Sequence, residues 1–286
     1  MSKSTKIFAR ASALTGWPDC PRRGASRLFS REIKEAGFDL RQTPRGIAAP
    51  VGTSVHAGAA LTLREKMATG KLAPLSTVLD CAVDGLHAEI TGGVLWDKDT
   101  PGLGVAEKQV IKMATAYQTH IAPGIEPLTV EEKLEAETEF GVVLTGQSDV
   151  LARDAGGLRD LKTGKRNYSH APQLGAYSLL VKSNGLAVDA AFIDFVQRVG
   201  ITKPQPEPIS TKYDLAQAET AALSILRHIH ASLEVFRHGD PKRGTLPGDP
   251  WAFEANPSSM LCGDKYCPAW GTPFCVEHKK DEEPKP

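Results

Sequence analysis

The segment from residue 142 to residue 162 can close on itself in one simple way. Residues 142–153 and 158–162 read as strands, and Asp154-Ala-Gly-Gly157 lies between them. That tetrapeptide is turn chemistry, since glycine takes a positive φ without steric cost. A hairpin follows. With the tetrapeptide as its loop, Arg153 pairs with Leu158, Asp149 lies opposite Lys162, and Asp160 sits diagonally across. Side chains alternate along a strand, so Asp149, Asp160 and Lys162 are expected on one face. A register slip of one residue would separate Asp149 from the other two.

Two carboxylates on one face repel unless a cation joins them. Two acids and a lysine on a sheet face suit a divalent metal and a phosphodiester. Isolated, such charges would read as a solvated hairpin, but Asp149 is embedded in an apolar strand.

The rest of the chain supplies helices around this hairpin. Helical patterns cover residues 22–36, 52–68, 105–119, 171–182 and 215–236, and residues 75–92 fit either helix or strand. Residues 188–199 alternate enough to form a third strand. Helices, two antiparallel strands, helix, strand, helix is an α/β order, with a mixed sheet flanked by helices and a helical N-terminal portion.

Length and charge set limits. At 286 residues and 41% hydrophobic content the chain can bury a large core. It is expected to form a single domain over 1–278: a helical part at about 1–125, a core at about 126–240 and a cysteine motif at 262–278. A disordered tail is expected at 279–286. No apolar run approaches a membrane span, and the N-terminus lacks a signal-peptide core, so a cytoplasmic setting without a membrane partner is expected. Net charge is zero, yet residues 1–48 hold ten Lys/Arg against four Asp/Glu. A basic arm of this kind suits an anionic partner.

Beyond the hairpin lies Gln173-x-x-x-Tyr177, one helical turn apart on a helix face. Gly146-x-x-Asp149, Asp160-x-Lys162 and Gln173-x-x-x-Tyr177, in that order and spacing, resemble the PD-(D/E)XK nuclease superfamily, in its RecB-type branch. The resemblance covers about 126–200 best. It implies a restriction-endonuclease-like fold and a metal-dependent deoxyribonuclease. It further implies an exonuclease on single strands or DNA ends, in recombination, repair or phage DNA metabolism. Asp149, Asp160 and Lys162 would be catalytic. Mg²⁺ or Mn²⁺ would be held by Asp149, Asp160, the Leu161 carbonyl and His56. An upstream glutamate would join them, with Glu132 favoured among Glu131, Glu132, Glu135, Glu137 and Glu139. Gln173 and Tyr177 would contact nucleic acid. An imidazole ligand biases a site towards manganese relative to oxygen ligands alone. The other reading is a non-catalytic nucleic-acid-binding subunit with the same fold. No P-loop is present, so any helicase or recombinase partner would be a separate protein.

Cysteines form a second constellation. Cys262, Cys267 and Cys275 cluster near the C-terminus, and Cys20 opens Cys20-Pro21 near the N-terminus. In a cytosolic chain, clustered cysteines read as metal ligands rather than disulfides. One early cysteine with three late ones resembles the iron–sulfur subgroup of RecB-type nucleases, the AddB nuclease domain and CRISPR-adaptation nucleases. That implies a [4Fe–4S] cluster on Cys20, Cys262, Cys267 and Cys275. This chain departs from the subgroup in having four residues, not two, between its first two late cysteines. Structural zinc on Cys262, Cys267, Cys275 and His278 is the alternative.

Overall fold

The computed structural model describes residues 6–153 and 157–276. The expected turn residues 154–156, the tail 279–286 and His278 lie outside them. In chain order the elements are β1 (Ile7–Arg10), α1 (Pro21–Leu28), α2 (Ser30–Glu35), α3 (Ala48–Thr69), α4 (Leu75–Ile90) and α5 (Leu103–His120). Then come β2 (Pro127–Val130), β3 (Lys133–Glu137), β4 (Val142–Gln147), β5 (Val150–Ala152) and β6 (Leu158–Gly164). The chain continues through α6 (Ala171–Ser183), β7 (Ala191–Gln197), β8 (Ile209–Tyr213) and α7 (Leu215–His238). The fold is α/β, with two sheets flanked by helices.

Two compact units arise. The larger comprises Arg45–Leu134 and Gly146–Glu219. Its five-stranded sheet has the order β2-β5-β6-β7-β8. β6 and β7 run parallel through the α6 crossover, and the other pairs are antiparallel. Three helices bury one continuous core. On α3, Val51, Val55, Ala59 and Leu63 recur every four residues, which puts one apolar stripe inward. The helix stops at Gly70, whose φ of 75° suits a glycine C-cap. α4 repeats the pattern with Val78, Ala82 and Leu86, so the ambiguous 75–92 stretch resolves as a helix. Leu161 of β6 and Val196 of β7 belong to the same core.

The smaller unit comprises residues 1–44, 135–145 and 220–286. In it β1 runs parallel to β4, with Ile7 opposite Val142 and Arg10 opposite Thr145. An aromatic cluster fills its centre: Trp17 meets Phe29 and Phe253 edge-on, and Phe236 and Phe274 close the group. The C-terminal segment returns to the N-terminal one. The Arg22 amide donates to the Glu254 carbonyl at 3.0 Å, and Arg27 donates to the Tyr266 carbonyl at 2.6 Å.

Three sequence expectations need correction. The helix expected over 22–36 is two helices, broken at Phe29. The strand expected over 142–153 is divided into β4 and β5 by a bend at Ser148 and Asp149. The hairpin register differs by two residues: Leu158 pairs with Leu151, not Arg153, and Val150 pairs with Arg159. A shift of two keeps the parity of a strand, so the alternation survives although the cross-strand partners change.

Candidate active site

β6 presents Asp160 and Lys162 on one side and Leu161 on the other. Leu161 enters the helix-covered core, while Asp160 is 2% exposed beside α6. Lys162 Nζ lies 2.6 Å from Asp160 Oδ2. The Lys162 ammonium is that buried oxygen's one partner among the described residues. On the other oxygen, Oδ1, the Gln173 amide approaches at 3.4 Å, and the same amide donates to the Tyr177 hydroxyl at 3.0 Å. Gln173 and Tyr177 are therefore one turn apart on α6, both buried, and linked to Asp160.

Asp149 arrives by a different route. It stands in the bend before β5, where the ladder with β6 would set it opposite Asp160. Its Oδ2 accepts the Leu161 amide hydrogen at 2.6 Å, taking the place of a backbone carbonyl. Its Oδ1 lies 3.0 Å from His56 Nδ1 on α3. α3 comes this close to β6 because residue 52 is glycine: a Cβ there would stand 2.8 Å from Thr163 Oγ1.

The electrostatics follow from burial. Burial disfavours the Asp149 carboxylate, but His56, Lys162 and the Leu161 amide outweigh it, and its pKa lies below the usual value. Burial likewise opposes the His56 imidazolium, yet the Asp149 charge beside it holds the pKa above the ordinary value. Asp160 has the opposite fate. Its own burial and the Asp149 charge push it up to about 6, only partly offset by Lys162. Two neighbouring carboxylates thus differ in proton affinity because one accepts an amide hydrogen and a histidine while the other is sealed under α6. Tyr177 is pushed well up by burial and then by Asp160. His170, at the start of α6, is pushed down to about 4 by burial and the Lys162 charge, and its buried Nδ1 has no hydrogen-bond partner.

Of the sequence candidates, His56, Asp149, Asp160, Leu161, Lys162, Gln173 and Tyr177 come together. Glu132 is left in the turn between β2 and β3. The acid next to Asp149 is Glu131: its amide donates to the Asp149 carbonyl at 3.0 Å, and its carboxylate pairs with Arg64 of α3. Glu131 holds a φ of 51°, unusual for a non-glycine residue. Sequence reasoning had no signal to separate two adjacent glutamates at the end of a short strand, and it did not single out Arg64.

Among the described residues, no three His, Cys, Asp or Glu side chains stand ready to hold an ion between them as placed. The donor set nonetheless fits a hard cation. Two buried carboxylates flank Leu161 in the sheet, one bonded to its amide and the other balanced by a single ammonium, and a histidine adjoins.

The cysteines lie in the smaller unit. Cys20, Cys262, Cys267 and Cys275 line one small cavity of about 10 Å³, with Arg22 and Arg23 also in its lining. None of the four is in a disulfide. Burial pushes the Cys267 thiol up.

A mixed sheet that brings two carboxylates and a lysine onto a helix-flanked strand, with glutamine and tyrosine on the crossover helix, defines a restriction-endonuclease-like hydrolase class. The profile of the PD-(D/E)XK nuclease superfamily matches residues 11–272, and the chain belongs to that superfamily. A comparison with curated proteins finds no match. Among solved structures the chain is similar to a "Putative exonuclease" from Eubacterium rectale, 13% identical, with 78% of this chain and 81% of that one covered and a TM-score of 0.52. At that identity the likeness speaks for the fold alone. A second, SSO0001, is 12% identical over 78% of this chain and 77% of that one, with a TM-score of 0.32. Among the described residues no helix is long and apolar enough to cross a membrane.

Proposed function

We propose that this chain is a metal-dependent deoxyribonuclease that hydrolyses DNA phosphodiesters, acting as an exonuclease on single strands or ends. The observation that carries the reading is the coupled set His56–Asp149–Asp160–Lys162. Each of two neighbouring carboxylates is matched by one basic side chain. A binding module has no need to bury a second acid at the energetic cost seen at Asp160.

Asp149, Asp160, the Leu161 carbonyl and His56 would hold Mg²⁺ or Mn²⁺; of the upstream acids, Glu131 adjoins Asp149 through its backbone while its carboxylate pairs with Arg64. The bound cation would acidify water and neutralise charge developing on the phosphoryl oxygens. The remaining roles belong to the chain itself. Lys162 carries an ammonium that can turn from Asp160 towards a phosphate oxygen or an attacking water. Gln173 and Tyr177 fix the orientation of Asp160, and through it the reacting phosphodiester. The Eubacterium rectale protein's description agrees with exonuclease action, and DNA is the substrate the superfamily implies.

We further propose that Cys20, Cys262, Cys267 and Cys275 hold a [4Fe–4S] cluster. The early cysteine and the three late ones line one cavity, and that shared lining supports it. Cys20 in the same cavity favours this set over the zinc set that needs His278.

The test is cleavage of end-labelled single- and double-stranded DNA with Mg²⁺ or Mn²⁺. Ladders of nucleotides shortened progressively from one end support the reading. Tight DNA binding with no cleavage under either metal would favour the non-catalytic subunit instead.

A further inference from the structure

Outside the candidate active site, the smaller unit carries an open groove of about 610 Å³ whose ionisable lining residues are all arginines: Arg10, Arg23 and Arg27. No Asp or Glu is among its described lining residues. On β1, Phe8 and Arg10 share the outward side of an alternating strand, and Phe8 is 51% exposed. Across the parallel ladder from Arg10 stands Thr145, another lining residue. Arg23 and Arg27 are one turn apart on α1 and face the same space. Arg23 is already matched by Asp19 at 2.6 Å, but Arg10 is in no salt bridge among the described residues. Partial burial, and then the Arg23 charge, pull the Arg27 pKa down, so the groove's cations oppose one another.

We propose that this groove binds single-stranded nucleic acid, with Arg10 and Arg27 on phosphates and Phe8 stacking on a base. Charge complementarity names an anion. The exposed ring names the kind of anion, since a base offers its face only when it is unpaired and unstacked. An acidic peptide would satisfy the arginines but give Phe8 no flat partner. The inference rests on the nuclease reading for its biological sense, because it supplies a place to hold the strand being degraded. Its evidence is separate.

The test uses the full chain with no added divalent cation and a fluorescent oligothymidylate of about 20 nucleotides, read by anisotropy. Arg10→Glu should weaken binding about tenfold or more. It should also flatten the slope of log affinity against log salt by about 0.7, the share of one neutralised phosphate on a single strand. Phe8→Ala should weaken binding about tenfold with the slope unchanged. Both residues are exposed, so neither change threatens folding. Both variants should hydrolyse the small ester bis-p-nitrophenyl phosphate with metal at the parent rate.

Variants that bind the oligonucleotide as the parent does overturn the proposal, as does polyglutamate competing equally well. If the parent hydrolyses neither DNA nor the small ester while the binding defects appear, the groove stands and the nuclease reading falls. If hydrolysis is intact and binding is unaltered, the reverse holds.

Discussion

Asp149 accepts the Leu161 amide hydrogen at 2.6 Å, where the β5 ladder ends, and so occupies the position of a missing backbone carbonyl. This bond ties a residue in a bend to the strand that carries Asp160 and Lys162. It leaves Asp149 one oxygen for His56. The candidate site is thus set by a main-chain hydrogen bond as much as by side-chain alternation.

The glycine at position 52 should be required as long as the Thr163 hydroxyl faces it. A Cβ would stand 2.8 Å from Thr163 Oγ1, so Gly52→Ala must displace that hydroxyl or α3, and a shift of α3 would carry His56 away from Asp149. We expect a loss of about 1–3 kcal/mol in stability, measured by urea unfolding, together with reduced cleavage. Adding Thr163→Ala removes the obstructing hydroxyl and should restore much of both.

Metal affinity should depend on pH through Asp160. Its pKa of about 6 lies above the ordinary 3.8, so the metal-free protein carries this proton below about pH 6. A cation must displace it. Affinity measured by calorimetry should therefore rise with pH through 6 and on through the His56 pKa, which lies above the ordinary value, with protons released on binding across that range. A flat affinity between pH 5 and pH 7 would show that Asp160 is not a ligand.

Gln173 reaches Asp160 and Tyr177 with the same amide. Gln173→Ala should lower metal affinity or kcat by about 10–100-fold, the usual effect of losing a residue that orients a ligand. Tyr177→Phe keeps the ring and should cost less. A defect confined to DNA affinity, with metal titration and kcat unchanged, would place these residues on the substrate rather than on Asp160.

Anaerobically purified protein should be brown from a thiolate-bound iron–sulfur centre, and Cys20→Ala should lose that absorption together with thermal stability. Colourless protein with stoichiometric zinc that survives Cys20→Ala would overturn this assignment.

Much of this was legible in the sequence, for identifiable reasons. The α3 and α5 regions announce themselves by apolar residues every three or four positions. Asp160-x-Lys162 on a strand needs only alternation, and Gln173 and Tyr177 need only the helical period. What failed depended on distant partners. β1 is short, and its mate β4 lies some 130 residues on, so nothing local marks it. The hairpin register shifted by two because the pairing begins at Leu151, a choice that the turn residues alone do not dictate. The choice between Glu131 and Glu132 is a different matter: Glu131 pairs with Arg64 on α3 and has a left-handed backbone, and neither feature is written in the local sequence.

The most direct measurement is metal-dependent cleavage of end-labelled DNA by the parent protein, Asp160→Asn and Lys162→Ala, each shown to be folded by circular dichroism. Removal of the buried carboxylate or of its ammonium should reduce the rate by about 10³-fold or more, the scale of several kcal/mol of transition-state stabilisation. Either variant cleaving at the parent rate would contradict the assignment of this site as the catalytic centre.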